Sequence, residues 1–146
     1  SILQQIEFRQ KRIERMKINN LKAQQVIYDH IISKYNAIEV SPGKCRFNYK
    51  CQMNSVHEAK KNKHKKIAMC ICMDDGTYPI IHFINYNKGE FVDNTLGEWS
   101  SRHKYYFIRW IKDDDMWDVD IIFTAFRREL NNQLGWWLRL TSDVTF

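Results

Sequence analysis

The sequence predicts a single α+β domain, with helices and a Cys-bearing helix packed on a mostly antiparallel sheet. Helical spacing of apolar residues marks the N-terminal region, and apolar and alternating runs predict strands between residues 66 and 111. A length of 146 residues with 44% hydrophobic and 14% aromatic residues suits one domain with a hydrophobic core. We therefore divide residues 1–146 into an N-terminal helical region, 1–40, and an α+β core, 44–140.

Residues 2–35 are predicted to be helical, with a break at Asn19-Asn20. Basic residues crowd one side of the first half, and a solvated helix face explains them; a contact with nucleic acid or a partner is the alternative. The region contains no candidate acid, base or nucleophile, so we expect a lid or partner-binding element. Ser41-Pro42-Gly43 ends it.

A second helix is predicted from Cys51 to about Asn62, after a loop at 44–49. Its end carries the strongest charge run of the chain, formed by Lys60, Lys61, Lys63, Lys65 and Lys66. Lysines interact favourably with the C-terminal end of a helix dipole, so a solvated turn explains the run. The alternative is a basic patch that binds phosphate or an acidic substrate.

Residues 66–97 are predicted to form a three-stranded antiparallel meander. The continuous apolar run 67–73 is typical of a buried strand, the next strand carries His82, and the third begins at Phe91-Val92.

The remaining core is predicted to contain two strands and one helix. Aromatic and β-branched residues predict a strand at 104–111, and an aspartate run favours a helix start near Asp115, with the helix continuing to about Asn132. Trp136 to Leu140 is predicted to form a final strand.

Cys51, His82 and Asp93 supply the side chains of nucleophilic acyl transfer: a thiolate that attacks, an imidazole that moves the proton, and a carboxylate that fixes the ring tautomer. Cys51 is the best nucleophile because a helix N-terminus lowers the pKa of a thiol. Cys70 and Cys72 lie in an apolar strand, where burial favours the inert thiol.

The hairpin between the His82 and Asp93 strands decides whether the two side chains meet. Direct pairing of these residues requires a four-residue tip, such as 86–89, whereas a three-residue tip places Asp93 opposite Phe83 on the other face. The turn Asn87-Lys88-Gly89 is compatible with both registers.

These segments resemble the transglutaminase-like superfamily of papain-type cysteine enzymes. The resemblance rests on Cys51-Gln52-Met53-Asn54-Ser55, His82-Phe83-Ile84-Asn85 and the segment 89–96, which together span about a third of the chain, from residue 51 to residue 96. It implies a helix packed on an antiparallel sheet, a Cys51-His82-Asp93 triad and substrates with amide bonds. Lys50 replaces the usual small residue before the cysteine, and no Trp follows the Cys or the His.

We expect the oxyanion of such a reaction to meet the backbone N–H of Cys51 and the side-chain amide of Asn48 or Gln52. A metal site is the chemical rival, but Cys45, Cys51 and His57 lack the spacing of zinc knuckles. We therefore expect no metal and no cofactor.

The composition bears on partners and compartment. We expect a protein or peptide substrate and no membrane segment, because no apolar run approaches the length of a membrane span. Four Cys without a signal sequence favour a reducing cytoplasm, and the Lys-, Ile- and Asn-rich composition is typical of A/T-rich genomes such as those of some bacteriophages, which would place the protein in the host cytoplasm.

The alternative to an enzyme is a binding or inhibitory protein on the same fold. Nucleic-acid binding is less favoured, because the aspartates at 113–120 oppose the basic and aromatic residues at 102–106 and a net charge of +6. The sequence leaves the substrate and the oligomeric state open.

Overall fold

A computed structural model describes residues 1–46, 50–74, 78–112, 116–144 and 146. In these ranges the chain has an α+β fold. The helices are α1 (Ile2–Lys34), α2 (Cys51–Lys61), α3 (Met116–Gln133) and α4 (Trp136–Thr141), with a 3-10 helix at Gly97–Arg102. The strands are β1 (Asn36–Ile38), β2 (Val40–Pro42), β3 (Lys66–Asp74), β4 (Tyr78–Asn87), β5 (Glu90–Asp93) and β6 (Lys104–Ile111).

The six strands form one mixed sheet in the order β1-β6-β3-β4-β5-β2. Its neighbouring pairs are antiparallel except β2 and β5, which are parallel. Because only Glu39 separates β1 from β2, the two edge strands are neighbours in the chain and the sheet must curl. The curled sheet therefore has an outer face and an enclosed inner face.

Alternation along β3 divides the core between these two faces. Ile67, Met69 and Ile71 pack in an outer cluster with buried residues of all three long helices, α1, α2 and α3. Ala68, Cys70 and Cys72 pack in an inner cluster, which also contains Ile84 of β4 and Tyr105 of β6. The inner face is where His82 lies, because its β3 partner is Cys70.

Helix α1 is continuous, so the predicted break at Asn19-Asn20 is wrong. Both side chains instead bind the C-terminal segment: Asn19 donates to the carbonyl of Thr141, and Asn20 accepts from the backbone N–H of Asp143. The buried residues of α1 are Ala23, Ile27 and Ile31, all in its second half.

The predicted strand at Trp136 to Leu140 is also wrong, because this segment forms α4. Gly135 is its N-cap residue, and the backbone N–H of Arg139 donates to the carbonyl of Gly135. Strands β1 and β2 occupy the sheet edges instead, although residues 36–40 were predicted to belong to the N-terminal helical region. The structure confirms the Cys51 helix, the meander and the strand at 104–111.

Candidate active site

Cys51 is the first residue of α2 and is half-buried. The N-cap residue Lys50 makes no side-chain capping bond, and its carbonyl accepts the N–H of Asn54. The positive end of the helix dipole is therefore directed at the segment that carries the thiol. This placement favours the thiolate.

The end of the β4–β5 ladder leaves room for this helix start. Registered pairs between the two strands stop at Asn85 and Val92, so the preceding part of β4 has no β5 partner. At that point the backbone N–H of Phe83 and the ring of His82 both interact with the Cys51 thiol. The thiol thus lies beside the part of β4 that has no β5 partner.

The β4–β5 turn has two residues, Lys88 and Gly89, both with positive φ. Neither of the two registers considered from the sequence occurs: Asn87 pairs with Glu90. If the pairing continued by one residue beyond Asn85 and Val92, Asp93 would lie opposite Ile84. Ile84 is two residues from His82, so Asp93 and His82 lie on the same face of the sheet. The two side chains meet diagonally.

Asp93 is fully buried, and both of its oxygens are saturated with donors. Oδ2 accepts from Nε2 of His82 at 2.7 Å and from the hydroxyl of Tyr105 at 2.6 Å. Oδ1 accepts the backbone N–H groups of Thr95 and Leu96, each at 2.9 Å. This arrangement fixes the carboxylate and holds Nε2 of His82, which leaves Nδ1 as the ring nitrogen for the thiol.

The hydrogen bonds outweigh burial in setting the charges of the three groups. Burial alone would lower the pKa of His82, but bonds to Asp93 and Cys51 raise it to about 10. Burial would raise the pKa of Asp93, but its donors hold it at about 2. Burial would likewise raise the pKa of Cys51, yet the bond to His82 gives a net lowering. The imidazolium form of His82 is therefore favoured at neutral pH, and the Cys51 thiolate forms at a lower pH than that of an ordinary cysteine.

A group of buried amides ties α2 to the strands around the site. Asn85 donates to the carbonyl of Ser55 in α2 and accepts from Asn94 at 3.0 Å. Asn54 of α2 donates to the hydroxyl of Thr95 at 3.0 Å. These bonds fix the position of Cys51 relative to β4 and to the residues after Asp93.

Sequence reasoning missed Tyr105 and this amide group as parts of the site. The strand at 104–111 was predicted, but nothing local indicates that Tyr105 faces Asp93 across the curled sheet. Asn54, Asn85 and Asn94 stand within the segments that carry the family resemblance, which is the only sequence signal for them.

The other predicted residues are placed as follows. Gln52 follows Cys51 in the first turn of α2 and is half-buried, whereas Asn48 lies outside the described residues. Their oxyanion role stays a prediction. Of the five lysines, Lys63, Lys65 and Lys66 line one cavity. Lys65 also binds Glu58 at 3.0 Å, and Lys66 lies over the ring of Trp110. Lys60 and Lys61 are exposed on the last turn of α2.

The other cysteines differ from Cys51 in environment, and all four are free thiols. Cys70 and Cys72 are buried in the inner cluster, and burial raises the pKa of Cys70 well above its ordinary value. Cys45 is exposed. Among the residues that the structure describes, no group of three or more His, Cys, Asp or Glu side chains could hold a metal ion.

No protein-family model, curated protein or solved structure matches the chain. Within the described ranges, no helix has the length and apolar character needed to cross a membrane. The chemistry of the Cys51 site therefore has to be argued from its own geometry.

Proposed function

We propose that this chain is a cysteine-dependent enzyme of acyl transfer or amide hydrolysis, with a transglutaminase-like or papain-type arrangement. The observation that carries the proposal is the buried relay of hydrogen bonds from Cys51 through His82 to Asp93. A structural ion pair has no need for a half-exposed thiol at one end. A nucleophile does, because the substrate has to reach it.

In the proposed reaction the Cys51 thiolate attacks the carbonyl carbon of an amide. The C–N bond breaks as the His82 imidazolium gives its proton to the leaving nitrogen, and the acyl group remains on sulfur as a thioester. Water or a second amine then loses a proton to His82 and attacks the thioester, which releases the thiolate. Backbone N–H groups at the start of α2 stabilise the oxyanion in both steps.

Asp93 orients the ring and stabilises the imidazolium without taking up a proton. Its pKa of about 2 keeps it charged at neutral pH. Protein or peptide amides are the substrate class that we propose, because the chemistry is that of a thiol–imidazole pair. A binding protein on the same fold would need neither the charged pair nor its access to solvent.

The test is the site and pH dependence of thiol modification. Iodoacetamide should modify Cys51 faster than the exposed Cys45, and this preference should persist well below the thiol's ordinary pKa of 9.0, because the pKa of Cys51 is lowered. Peptide mapping by mass spectrometry gives the rate at each cysteine. Acylation by p-nitrophenyl acetate, with release of p-nitrophenolate, should follow the same order.

Cys45→Ala is the matched control and should keep both fast reactions, whereas Cys51→Ala should keep only the slower modification of Cys45. Modification governed by exposure alone would make Cys45 the faster site at every pH. That result would contradict the proposed enzyme and favour the alternative, a non-catalytic binding protein.

A further inference from the structure

A cavity of about 270 Å³ lies between the C-terminal end of α2 and strands β3 and β6. Four lysine side chains line it: Lys63, Lys65, Lys66 and Lys112. Ile67 and Ile111, both buried, supply an apolar part of its wall. The cavity combines a cationic rim with an apolar base, at the opposite end of α2 from Cys51.

The positive charge of this lysine pocket is not neutralised by the acidic residue beside it. Glu58 is buried, and three cations already share its carboxylate: Lys44 and Arg46 on Oε1, and Lys65 on Oε2. Within the ranges described, neither Lys63 nor Lys112 forms a salt bridge. The carbonyl end of α2 offsets only about half a charge. Among the described residues around the pocket, the charges therefore leave a net positive field.

We propose that the lysine pocket binds a phosphate group, either as free phosphate or as part of a small phosphate ester. Lysine ammonium groups act as compact point charges with three donors each, which suits a tetrahedral phosphate. None of the described residues that line the pocket is an arginine, which would bind a planar carboxylate in bidentate fashion. A volume of about 270 Å³ is below the range of most drug-sized sites, so the ligand is small.

The proposal is independent of the cysteine chemistry. Eleven helical residues separate the two ends of α2, or roughly 16 Å at about 1.5 Å per residue. Phosphate binding should therefore survive Cys51→Ala. Failure of one proposal leaves the other intact.

The experiment is calorimetric titration of the full chain at constant ionic strength with inorganic phosphate, phenyl phosphate and benzoate. The pocket variant is the double substitution Lys63→Gln/Lys112→Gln. The matched control is Lys60→Gln/Lys61→Gln, which removes the same charge from lysines that do not line the cavity. Urea unfolding of each variant checks that the fold is retained.

We expect the pocket variant to weaken phosphate binding by about 10-fold or more, and the control pair to change it by less than about 2-fold. Equal affinity for both phosphates assigns the site to the phosphate group alone, whereas tighter binding of phenyl phosphate assigns it to an ester that uses the apolar wall. Equal weakening in both double variants, benzoate binding as tight as phenyl phosphate, or no saturable binding would each overturn the proposal.

Discussion

Two buried carboxylates, Asp93 and Glu58, are solvated by the protein in opposite ways. Glu58 is 1% exposed and binds three permanent cations, Lys44, Arg46 and Lys65. Asp93 is 0% exposed and binds two backbone N–H groups, one phenol and one imidazole. The pKa of each carboxyl is lowered to about 2 despite burial. Permanent cations lower the pKa of Glu58, whereas the pKa of Asp93 is lowered first by the titratable His82 and then by the neutral donors Tyr105 and the backbone N–H of Leu96.

The two carboxylates differ in how far their charge is compensated and in what that charge does. The charge of Glu58 is more than compensated, so its effect is to fix the segment 44–46 and the turn after α2 onto the helix. The charge of Asp93 has one basic partner, His82, which contacts a thiol. Glu58 therefore stabilises the fold, and Asp93 sets the protonation state of the site.

The largest effect is expected from Glu58→Gln. Three cations would lose their counter-charge, and the variant should lose about 3 kcal/mol of unfolding free energy, or more than about 100-fold in the folding equilibrium. Chemical denaturation at pH 7 measures this loss, while Cys51 alkylation in the folded protein should change by less than about 2-fold.

Acid should remove the difference in unfolding free energy between the wild-type protein and the Glu58→Gln variant. The pKa of Glu58 is lowered from 4.5 to about 2, so its contribution is complete above pH 4.5 and is lost as the pH falls through about 2. The matched control is Glu129→Gln, since the side chain of Glu129 is 31% exposed and that of its partner Lys34 is 49% exposed. A control loss as large as that of Glu58→Gln would contradict the assigned importance of burial.

Asp93→Asn should lower the reactivity of the Cys51 thiol. The backbone N–H groups of Thr95 and Leu96 can still bind Oδ1, but the amide N–H would face Nε2 of His82 and favour the wrong tautomer. Cys51 alkylation at pH 6 should slow by about 10-fold or more, because loss of thiolate exceeds the gain in nucleophilicity. Rates from mass spectrometry, with Cys45 as the internal reference, make the measurement. An unchanged rate would show that Asp93 does not influence the reactivity of the Cys51 thiol.

Tyr105→Phe should give the smallest effect. It removes one of four donors to Asp93, and the alkylation rate of Cys51 should fall by about 2- to 3-fold with a stability loss of about 1–2 kcal/mol. Tyr106→Phe is the control, since its hydroxyl interacts with Tyr28 and its side chain belongs to the outer cluster. An equal decrease in the control would show that general loosening, and not Asp93, is responsible.

The sequence by itself determined the elements whose local pattern of apolar and polar residues is distinctive. The continuous apolar run of β3, the aromatic strand β6 and the helix that starts at Cys51 follow from local pattern. The choice of Cys51, His82 and Asp93 as a candidate set also came from the sequence. The sequence left open whether His82 and Asp93 share a face, and the two-residue turn Lys88-Gly89 is shorter than either turn considered from the sequence.

Only the tertiary structure decided the rest. Strands β1 and β2 have three residues each, too few for a pattern, and they exist because β6 and β5 pair with them. The segment 136–140 has the composition of a strand, but the sheet edges are occupied and it folds as a helix beside α1. Tyr105 reaches Asp93 because the sheet curls. Contacts between residues far apart in the chain determine these features, and local propensity is too weak to oppose them.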